Sequence, residues 1–269
     1  MLAPESDYYL APDLQAILEM AINLEMPLLL TGEPGTGKTQ LAHALAKQLN
    51  SPLEIMRCKS TFQGEEACYS QDSLLRLNDA RFGPGDTGRD VHQFFDYILW
   101  GPIGRAFRSD ERCILLIDEI DKTDSDVQDN LLDVLDQGSF VIREINEEVK
   151  AKKKPIILIT SNGKRELSDP FLRRCFAHHL AFPSPQQMAE IIAIHIKDIE
   201  PKLLETALEV FYSLRQKKLE KPPATSELIL WLKAILAQNL KPDELNPMPF
   251  PGILLKKSSD LLTLPRDRF

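Results

Sequence analysis

The stretch MPLLLTGEPGTGKTQLAHALAKQL, residues 26–49, constrains the fold more than any other part of this sequence. A short unbroken apolar run is followed by a glycine-rich loop, and then Leu41, Ala42 and Leu45 recur at helical spacing. This order predicts a buried strand, a tight loop and a helix. The apolar run PLEIMRC then supplies a second strand, and a strand–helix–strand unit indicates a parallel sheet.

Two later segments extend the sheet. RCILLIDEI, residues 112–120, and KPIILITSN, residues 154–162, have the nearly continuous branched apolar character of strands buried on both faces. Between them, DSDVQDNLLDVLDQG predicts an amphipathic helix that ends at Gly138. The sequence therefore indicates an α/β fold.

The pattern changes after AFPSP, residues 181–185. Three segments with helical periodicity follow, and no further strand pattern is visible. We therefore expect an α/β core over residues 1–182 and a small α-helical domain over residues 183–269. One stripe of the last helix should pack the core of that small domain rather than bind a ligand; it comprises Trp231, Leu232, Ile235 and Leu236.

Composition narrows the class of protein. Hydrophobic residues make up 43% of the chain, enough for a core, yet no apolar run reaches the length of about 18 to 20 residues that a membrane helix needs. With no signal-like N-terminus, we expect a cytoplasmic protein. The net charge of −8 argues against a main role in holding nucleic acid. The cysteines lack metal or disulfide spacing and should be buried reduced thiols: Cys58, Cys68, Cys113 and Cys175.

The glycine-rich loop GEPGTGKT fits the pattern G-x-x-x-x-G-K-[ST] between a strand and a helix. Backbone N–H groups of such a loop bind phosphate oxygens, Lys38 would reach the β and γ phosphates, and the Thr39 hydroxyl would hold Mg²⁺. The alternative is a chance glycine-rich turn. The candidate phosphate-binding residues are Gly32, Glu33, Pro34, Gly35, Thr36, Gly37, Lys38, Thr39 and Gln40.

An acidic pair follows the strand in CILLIDEID. Asp118 would bind Mg²⁺, mostly through water, and Glu119 would polarise the attacking water. The alternative is that these carboxylates only cap the following helix, whose first turn favours negative charge. We expect that capping role for Asp121 and Asp124.

These motifs, with GPIGRAF, ITSN, DPFLRRC and KPPATSELILW, resemble those of AAA+ ATPases of the MoxR type over nearly the whole chain. The resemblance implies an AAA+ core with a five-stranded parallel sheet, in the strand order 5-1-4-3-2, flanked by helices. It also implies a C-terminal helical lid domain, with ATP and Mg²⁺ as cofactors. The phosphate loop and the acidic pair alone are shared by many families, so the other motifs carry the finer resemblance.

The resemblance also implies roles for polar residues beyond the acidic pair. Asn162 in ITSN matches the residue that senses the γ-phosphate, although an asparagine can simply serve the turn before Gly163. In such enzymes an arginine projects into the nucleotide site of the neighbouring subunit. Arg174 is our first choice for that finger and Arg173 the second, with an intramolecular salt bridge as the alternative for either.

Many AAA+ lids begin a late helix with an arginine that contacts the γ-phosphate. This chain has Thr225, Ser226 and Glu227 at that place, and Thr225 or Ser226 should be the N-cap of the helix.

Residues 69–108 resemble the MoxR-type insertion on the face of the ring, and residues 138–158 predict a β-hairpin leading into the next strand. Either segment could contact a client protein, or the hairpin could be merely solvated.

Three functions are compatible with these motifs. The resemblance favours an ATPase that forms a homo-oligomer, expected to be a hexameric ring, and that remodels a protein client with a partner carrying a von Willebrand factor A domain. The second is a nucleic-acid motor or loader, against which the acidic charge weighs. The third is a scaffold in which ATP only stabilises an assembly.

Overall fold

The computed structural model describes residues 8–60 and 64–262. Its strands are β1 (Leu28–Gly32), β2 (Leu53–Arg57), β3 (Tyr69–Gln71), β4 (Ile98–Trp100), β5 (Ile114–Asp118), β6 (Ser139–Ile142), β7 (Glu147–Lys150), β8 (Ile156–Ser161) and β9 (Phe176–Leu180). Its α-helices are α1 (Pro12–Asn23), α2 (Lys38–Leu49), α3 (Ser73–Phe82), α4 (Pro102–Arg108), α5 (Ser125–Gln137), α6 (Asp169–Arg173), α7 (Pro185–His195), α8 (Pro201–Arg215), α9 (Thr225–Ala237), α10 (Pro251–Leu254) and α11 (Ser258–Leu261).

The described residues divide into two compact units. The first comprises residues 11–31, 38–60 and 64–179, and the second comprises residues 8–10, 32–37 and 180–262. The domain boundary that the sequence predicts after residue 182 stays a prediction. The outer ends of both predicted domains, residues 1–7 and 263–269, lie outside the described residues.

The central sheet has five strands in the order β2-β5-β8-β1-β9. Strand β1 pairs in parallel with β8, β8 with β5, and β5 with β2. Numbered along the chain as core strands, this is the predicted order 5-1-4-3-2, so the fold class is confirmed. Ile114 to Ile117 and all of β8 are buried, which explains why both segments are apolar without alternation.

The fifth strand of the sheet could not be located by its pattern. In β9 the residues alternate between half-buried and exposed, and two of them are His178 and His179. In the part of the chain that the structure describes, this strand lies at the edge of the sheet beside β1, where continuous hydrophobicity is not required.

Two small antiparallel sheets accompany the first unit. The predicted hairpin is confirmed: β6 pairs with β7, with Phe140 opposite Val149. The other pair, β3 with β4, joins the two ends of the segment that holds α3 and was not expected from the sequence. Helix α5 packs Leu131, Leu132 and Leu135 inward and ends at Gly138, whose φ of 64° is left-handed, as a terminal glycine allows.

The second unit has a helical core of its own. Ser184 begins α7 with a capping box, because its hydroxyl accepts from the Gln187 N–H and the Gln187 side chain accepts from the Ser184 N–H. Trp231, Leu232 and Ile235 of α9 are fully buried and Leu236 packs against them, which confirms the predicted stripe. Among the described residues, a helix with the length and hydrophobicity of a membrane span is absent.

Candidate active site

The polar residues of the two strand motifs meet at one edge of the sheet. Because β5 and β8 are parallel neighbours, with Ile117 opposite Ile159, their carboxyl ends lie side by side. Asp118 ends β5 and Asn162 directly follows β8. In open parallel α/β sheets, ligands bind outside the carboxyl ends of the strands. This edge of the sheet is therefore the candidate active site.

Thr39 and Asp118 are in direct contact. The Thr39 hydroxyl, in the first turn of α2, donates to Asp118 Oδ1 at 2.9 Å, and the Thr160 hydroxyl donates to the same oxygen at 2.7 Å. Hydroxyl and carboxylate oxygens are the ligands that Mg²⁺ prefers. Their adjacency fits the predicted magnesium ligands, Thr39 directly and Asp118 through water.

Glu119 is held by its backbone and by both carboxylate oxygens. Its φ of 59° is left-handed, which is unusual for a residue other than glycine, and its N–H donates to the Thr160 hydroxyl at 2.8 Å. Oε1 accepts from the Asn162 side-chain amide at 3.1 Å, and Oε2 is paired with Lys122. Such strain often accompanies functional positions.

The expected capping by Asp121 and Asp124 is wrong. Asp121, which is 1% exposed, accepts from the backbone N–H groups of Asn162 at 3.2 Å and Lys164 at 3.0 Å. A buried carboxylate needs such donors, and here they come from the loop after β8. Asp124 occupies the N-cap position of α5 without a capping bond from its side chain, which pairs with Arg165 at 2.9 Å.

The phosphate loop starts at Gly32, the last residue of β1, and Lys38 begins α2 with only 6% of its surface exposed. Gly32 and Gly35 have positive φ angles of 145° and 83°. A β-carbon on Gly32 would collide with the Leu180 carbonyl oxygen, and one on Gly35 with the Ala224 side chain. Glycine is thus required at both positions by backbone angle and by space.

Cys58 lies beside the acidic pair and is chemically inert there. Its N–H donates to the Asp118 carbonyl at 3.0 Å. Burial, reinforced by the charge of Asp118, raises the pKa of its thiol to about 12. The thiol therefore stays protonated at neutral pH and is no nucleophile. All four cysteines are free; three are buried as expected, and Cys175 is half-buried.

The two candidate finger arginines have different surroundings. Arg174 makes ion pairs within the chain, at 3.1 Å to Asp136 and 3.3 Å to Asp133, both on α5. This is the intramolecular pairing that the sequence left open. Arg173, one residue earlier, is exposed, and within the described residues no hydrogen bond or ion pair reaches its side chain.

The sequence did not indicate three residues that contact the acidic pair or the phosphate loop. Thr160 contacts both members of the acidic pair, Lys122 pairs with Glu119, and Arg215 at the end of α8 contacts Glu33 of the phosphate loop. Lys122 follows Glu119 by three residues, so helix-like spacing could have suggested that pair. The other two contacts join distant parts of the sequence and have no local signal.

A parallel α/β sheet in which the threonine after a glycine-rich loop and its lysine contacts the aspartate of an aspartate–glutamate pair defines a P-loop nucleoside triphosphatase. Residues 27–175 match the family model described as AAA domain (dynein-related subfamily). This chain belongs to that family, whose members are ATP-binding ATPases, and the predicted enzyme class agrees with it.

Similar curated proteins include two chaperones and a replication protein. The chain is 28% identical over 205 residues to chaperone protein ClpB of Mycobacterium leprae. The aligned region covers 71% of this chain and 22% of that protein. Chaperone protein ClpB of Prochlorococcus marinus is 28% identical over 201 residues, which are 72% of this chain and 20% of that protein. Replication factor C small subunit 1 of Pyrobaculum aerophilum gives 27% over 198 residues, with 72% and 48%. The chain thus spans between a fifth and a half of these relatives.

A solved structure supports the fold. NtrX from Brucella abortus in complex with ADP has a TM-score of 0.55 at 17% identity, with coverage of 94% of this chain and 54% of that one. Its complex with ATP gives a TM-score of 0.51, also at 17% identity, with coverages of 94% and 56%. Likeness at this identity concerns the architecture alone.

Proposed function

We propose that this chain is an ATP-hydrolysing subunit of a MoxR-type AAA+ oligomer that remodels or activates a protein client. The observation that carries this is the 2.9 Å hydrogen bond between Thr39 and Asp118. It brings the phosphate-loop threonine together with the aspartate of the buried strand, the two residues that would hold Mg²⁺ beside the triphosphate.

The residues of this edge divide the work of hydrolysis. Lys38 and the loop N–H groups would bind the phosphates, and Thr39 and Asp118 would hold Mg²⁺, which would supply neutralisation of the phosphate charge when bound. Glu119 orients and deprotonates the attacking water, and Asn162 positions the Glu119 carboxylate through the bond at 3.1 Å. An arginine from a neighbouring copy, Arg174 or Arg173, completes the site by stabilising charge in the transition state.

The client-remodelling part of the proposal has two supports. The chaperone relatives share 28% identity with this chain. The segment from β3 to β4 is an elaboration with its own small sheet, and it exposes Leu74, Leu77 and Phe82 of α3, which are 70%, 48% and 84% accessible. Several exposed apolar side chains on one helix are typical of surfaces that contact other proteins. A von Willebrand factor A domain protein is the partner proposed from the MoxR resemblance.

The similarity to a replication factor C subunit keeps a nucleic-acid loader as the second candidate. The net charge of −8 opposes it, because binding to phosphate backbones depends on clustered Lys and Arg. Salt-sensitive stimulation of ATP turnover by DNA would favour the loader, and equal turnover with and without DNA would favour the protein remodeller.

Turnover and ATP-dependent assembly of Glu119→Gln test the ATPase proposal. We expect loss of turnover by about 10² to 10⁴, the usual contribution of a general base, with ATP retained in a stable oligomer seen by light scattering. Lys38→Ala should bind no ATP. Glu111→Gln, the same change at an exposed position before β5, is the control and should match the wild type. Full turnover by Glu119→Gln would refute the assignment.

The partner proposal needs its own experiment. A purified von Willebrand factor A domain protein encoded beside this gene should co-elute with the Glu119→Gln oligomer in ATP and change the turnover of the wild type. If neither effect occurs, the proposed partner is wrong while the ATPase proposal stands.

A further inference from the structure

The first turn of α9 carries no positive side chain. The helix begins at Thr225 with Ala224 as its N-cap, so the N-cap expected at Thr225 or Ser226 is wrong. Glu227 supplies the cap instead, since its carboxylate accepts from the Ala224 N–H at 3.2 Å and the Ser226 hydroxyl at 3.0 Å. If the second unit responds to a nucleotide, its cation must come from elsewhere.

Arg215, at the end of α8, is a cation that contacts the phosphate loop. One of its terminal nitrogens donates to Glu33 Oε2 at 2.7 Å and the other to the Pro223 carbonyl at 2.6 Å. Its guanidinium carbon lies 3.4 Å from the centre of the Phe182 ring. The side chain is only 14% exposed, so it is fixed by three segments of the second unit.

Only arginine can make this set of contacts at once. The planar guanidinium offers separate donors at its edge while its face stacks on an aromatic ring. A lysine could keep the ion pair with Glu33 but would lose the stacking and the second directed bond. The burial of the charge is tolerated because Glu33 and the Pro223 carbonyl satisfy it.

Arg215 also acts next to the point where the phosphate loop meets α9. Gly35 of the loop packs so closely on Ala224 that a β-carbon would not fit. Ala224 follows Pro223, whose carbonyl Arg215 binds. The same guanidinium therefore holds the phosphate loop through Glu33 and the residue pair that precedes α9.

We propose that Arg215 is a positioning residue that couples nucleotide binding in the phosphate loop to helices α8 and α9 through Glu33. This rests on the proposed ATP-binding function of residues 32–39. Binding of phosphates orders the loop, the ordered loop fixes Glu33, and Glu33 fixes Arg215 together with the start of α9. By reciprocity, an intact Arg215–Glu33 pair strengthens nucleotide binding.

The test is equilibrium binding of a fluorescent ADP analogue to the full chain and its variants. Arg215→Gln and Glu33→Gln should each weaken binding up to about fivefold, the size expected for an ion pair whose carboxylate is 60% exposed. The double variant should be no weaker than either single variant, because both remove the same pair. Arg215→Lys should fall in between. Lys217→Gln, at an exposed position two residues later, is the control and should bind as the wild type does.

A second readout separates coupling from a merely structural role. In the wild type, ADP should slow amide hydrogen exchange in α8 and α9; in Glu33→Gln, with saturating ADP, this protection should be lost although the unliganded proteins exchange alike. Glu33 is 60% exposed, so its substitution should leave folding intact even if Arg215→Gln unfolds the helices.

Two results would overturn the inference in distinguishable ways. If the wild type binds ADP and Glu33→Gln binds it equally well with the same protection, Arg215 does not couple nucleotide binding to these helices. If the wild type binds no ADP at all, the proposed function and the inference built on it both fail.

Discussion

The Asn162 side-chain amide donates to Glu119 Oε1 at 3.1 Å, so the residue after one strand holds the carboxylate that follows its neighbour. Lys122 occupies the other carboxylate oxygen. Each Glu119 oxygen therefore already accepts one donor and keeps a second lone pair, so Asn162 and Lys122 compete with water for this carboxylate. Lys122 is the more easily displaced of the two donors, because it is half-exposed while the loop that carries Asn162 is fixed by the buried Asp121.

Removal of the Lys122 charge should make Glu119 more available. The hydrogen bond that Lys122 donates to Glu119 raises the pKa of Lys122, so this amine is charged at neutral pH and competes with water. Because both side chains are more than a third exposed, solvent screens the pair and the effect is small: Lys122→Met should raise steady-state ATP turnover up to about fivefold. A fall in turnover would instead mean that Lys122 orients the base. Lys197→Met, on an exposed position, is the control.

The two adjacent arginines should differ in turnover assays. The ion pairs of Arg174 with Asp133 and Asp136 are surface-exposed and weak, so a neighbouring triphosphate can displace them. We expect Arg174→Ala to bind ATP and lose about 10³-fold or more in turnover, with Arg173→Ala much less affected. Mixing Arg174→Ala with Lys38→Ala should restore part of the activity. A larger loss of turnover in Arg173→Ala than in Arg174→Ala would assign the arginine finger to Arg173.

The segment from α3 to β4 should be sensitive to acid. Asp79 is buried and accepts from Arg89 at 2.8 Å and from the Tyr97 hydroxyl at 2.9 Å; the Arg89 bond is the main cause that lowers the pKa of this carboxyl. A lowered folded-state pKa stabilises the protein above the unfolded value and is lost as the pH falls through the folded value.

Asp79→Asn should therefore reduce the thermal midpoint at pH 7, and the difference from the wild type should shrink below about pH 4. Thermal unfolding followed by circular dichroism at several pH values measures this. Glu66→Gln, an exposed change in the same part of the chain, should have no such profile. A difference independent of pH would contradict the role of the charge.

The core of the second unit should depend on Trp231. This side chain is 0% exposed and its indole N–H donates to the Pro249 carbonyl at 2.7 Å. Trp231→Ala should lower the free energy of unfolding by about 3 to 5 kcal/mol, and Trp231→Phe, which mainly removes the hydrogen bond, by about 1 to 3 kcal/mol. Urea unfolding measures both. Leu230→Ala, at a position 54% exposed, should change the free energy of unfolding little. If it destabilised the protein as much as Trp231→Ala, burial of Trp231 would not explain the effect.

The sequence determined the parts of this protein that local physics controls. Continuous apolar runs specified the buried strands β1, β5 and β8, and helical spacing with Gly138 specified α5 and its end. The phosphate loop and the acidic pair could be read because their chemistry needs fixed residue types at fixed spacing. The strand order followed from family resemblance rather than from any pattern.

Tertiary structure alone decided which of these groups touch. Asp121 could cap a helix as far as its sequence shows, yet the loop after β8, 41 residues away, takes its carboxylate. Arg215 and Glu33 are 182 residues apart, and no periodicity links them. A side chain's partner depends on where distant segments pack, because hydrogen bonds and ion pairs act over a few ångströms of space and not along the chain.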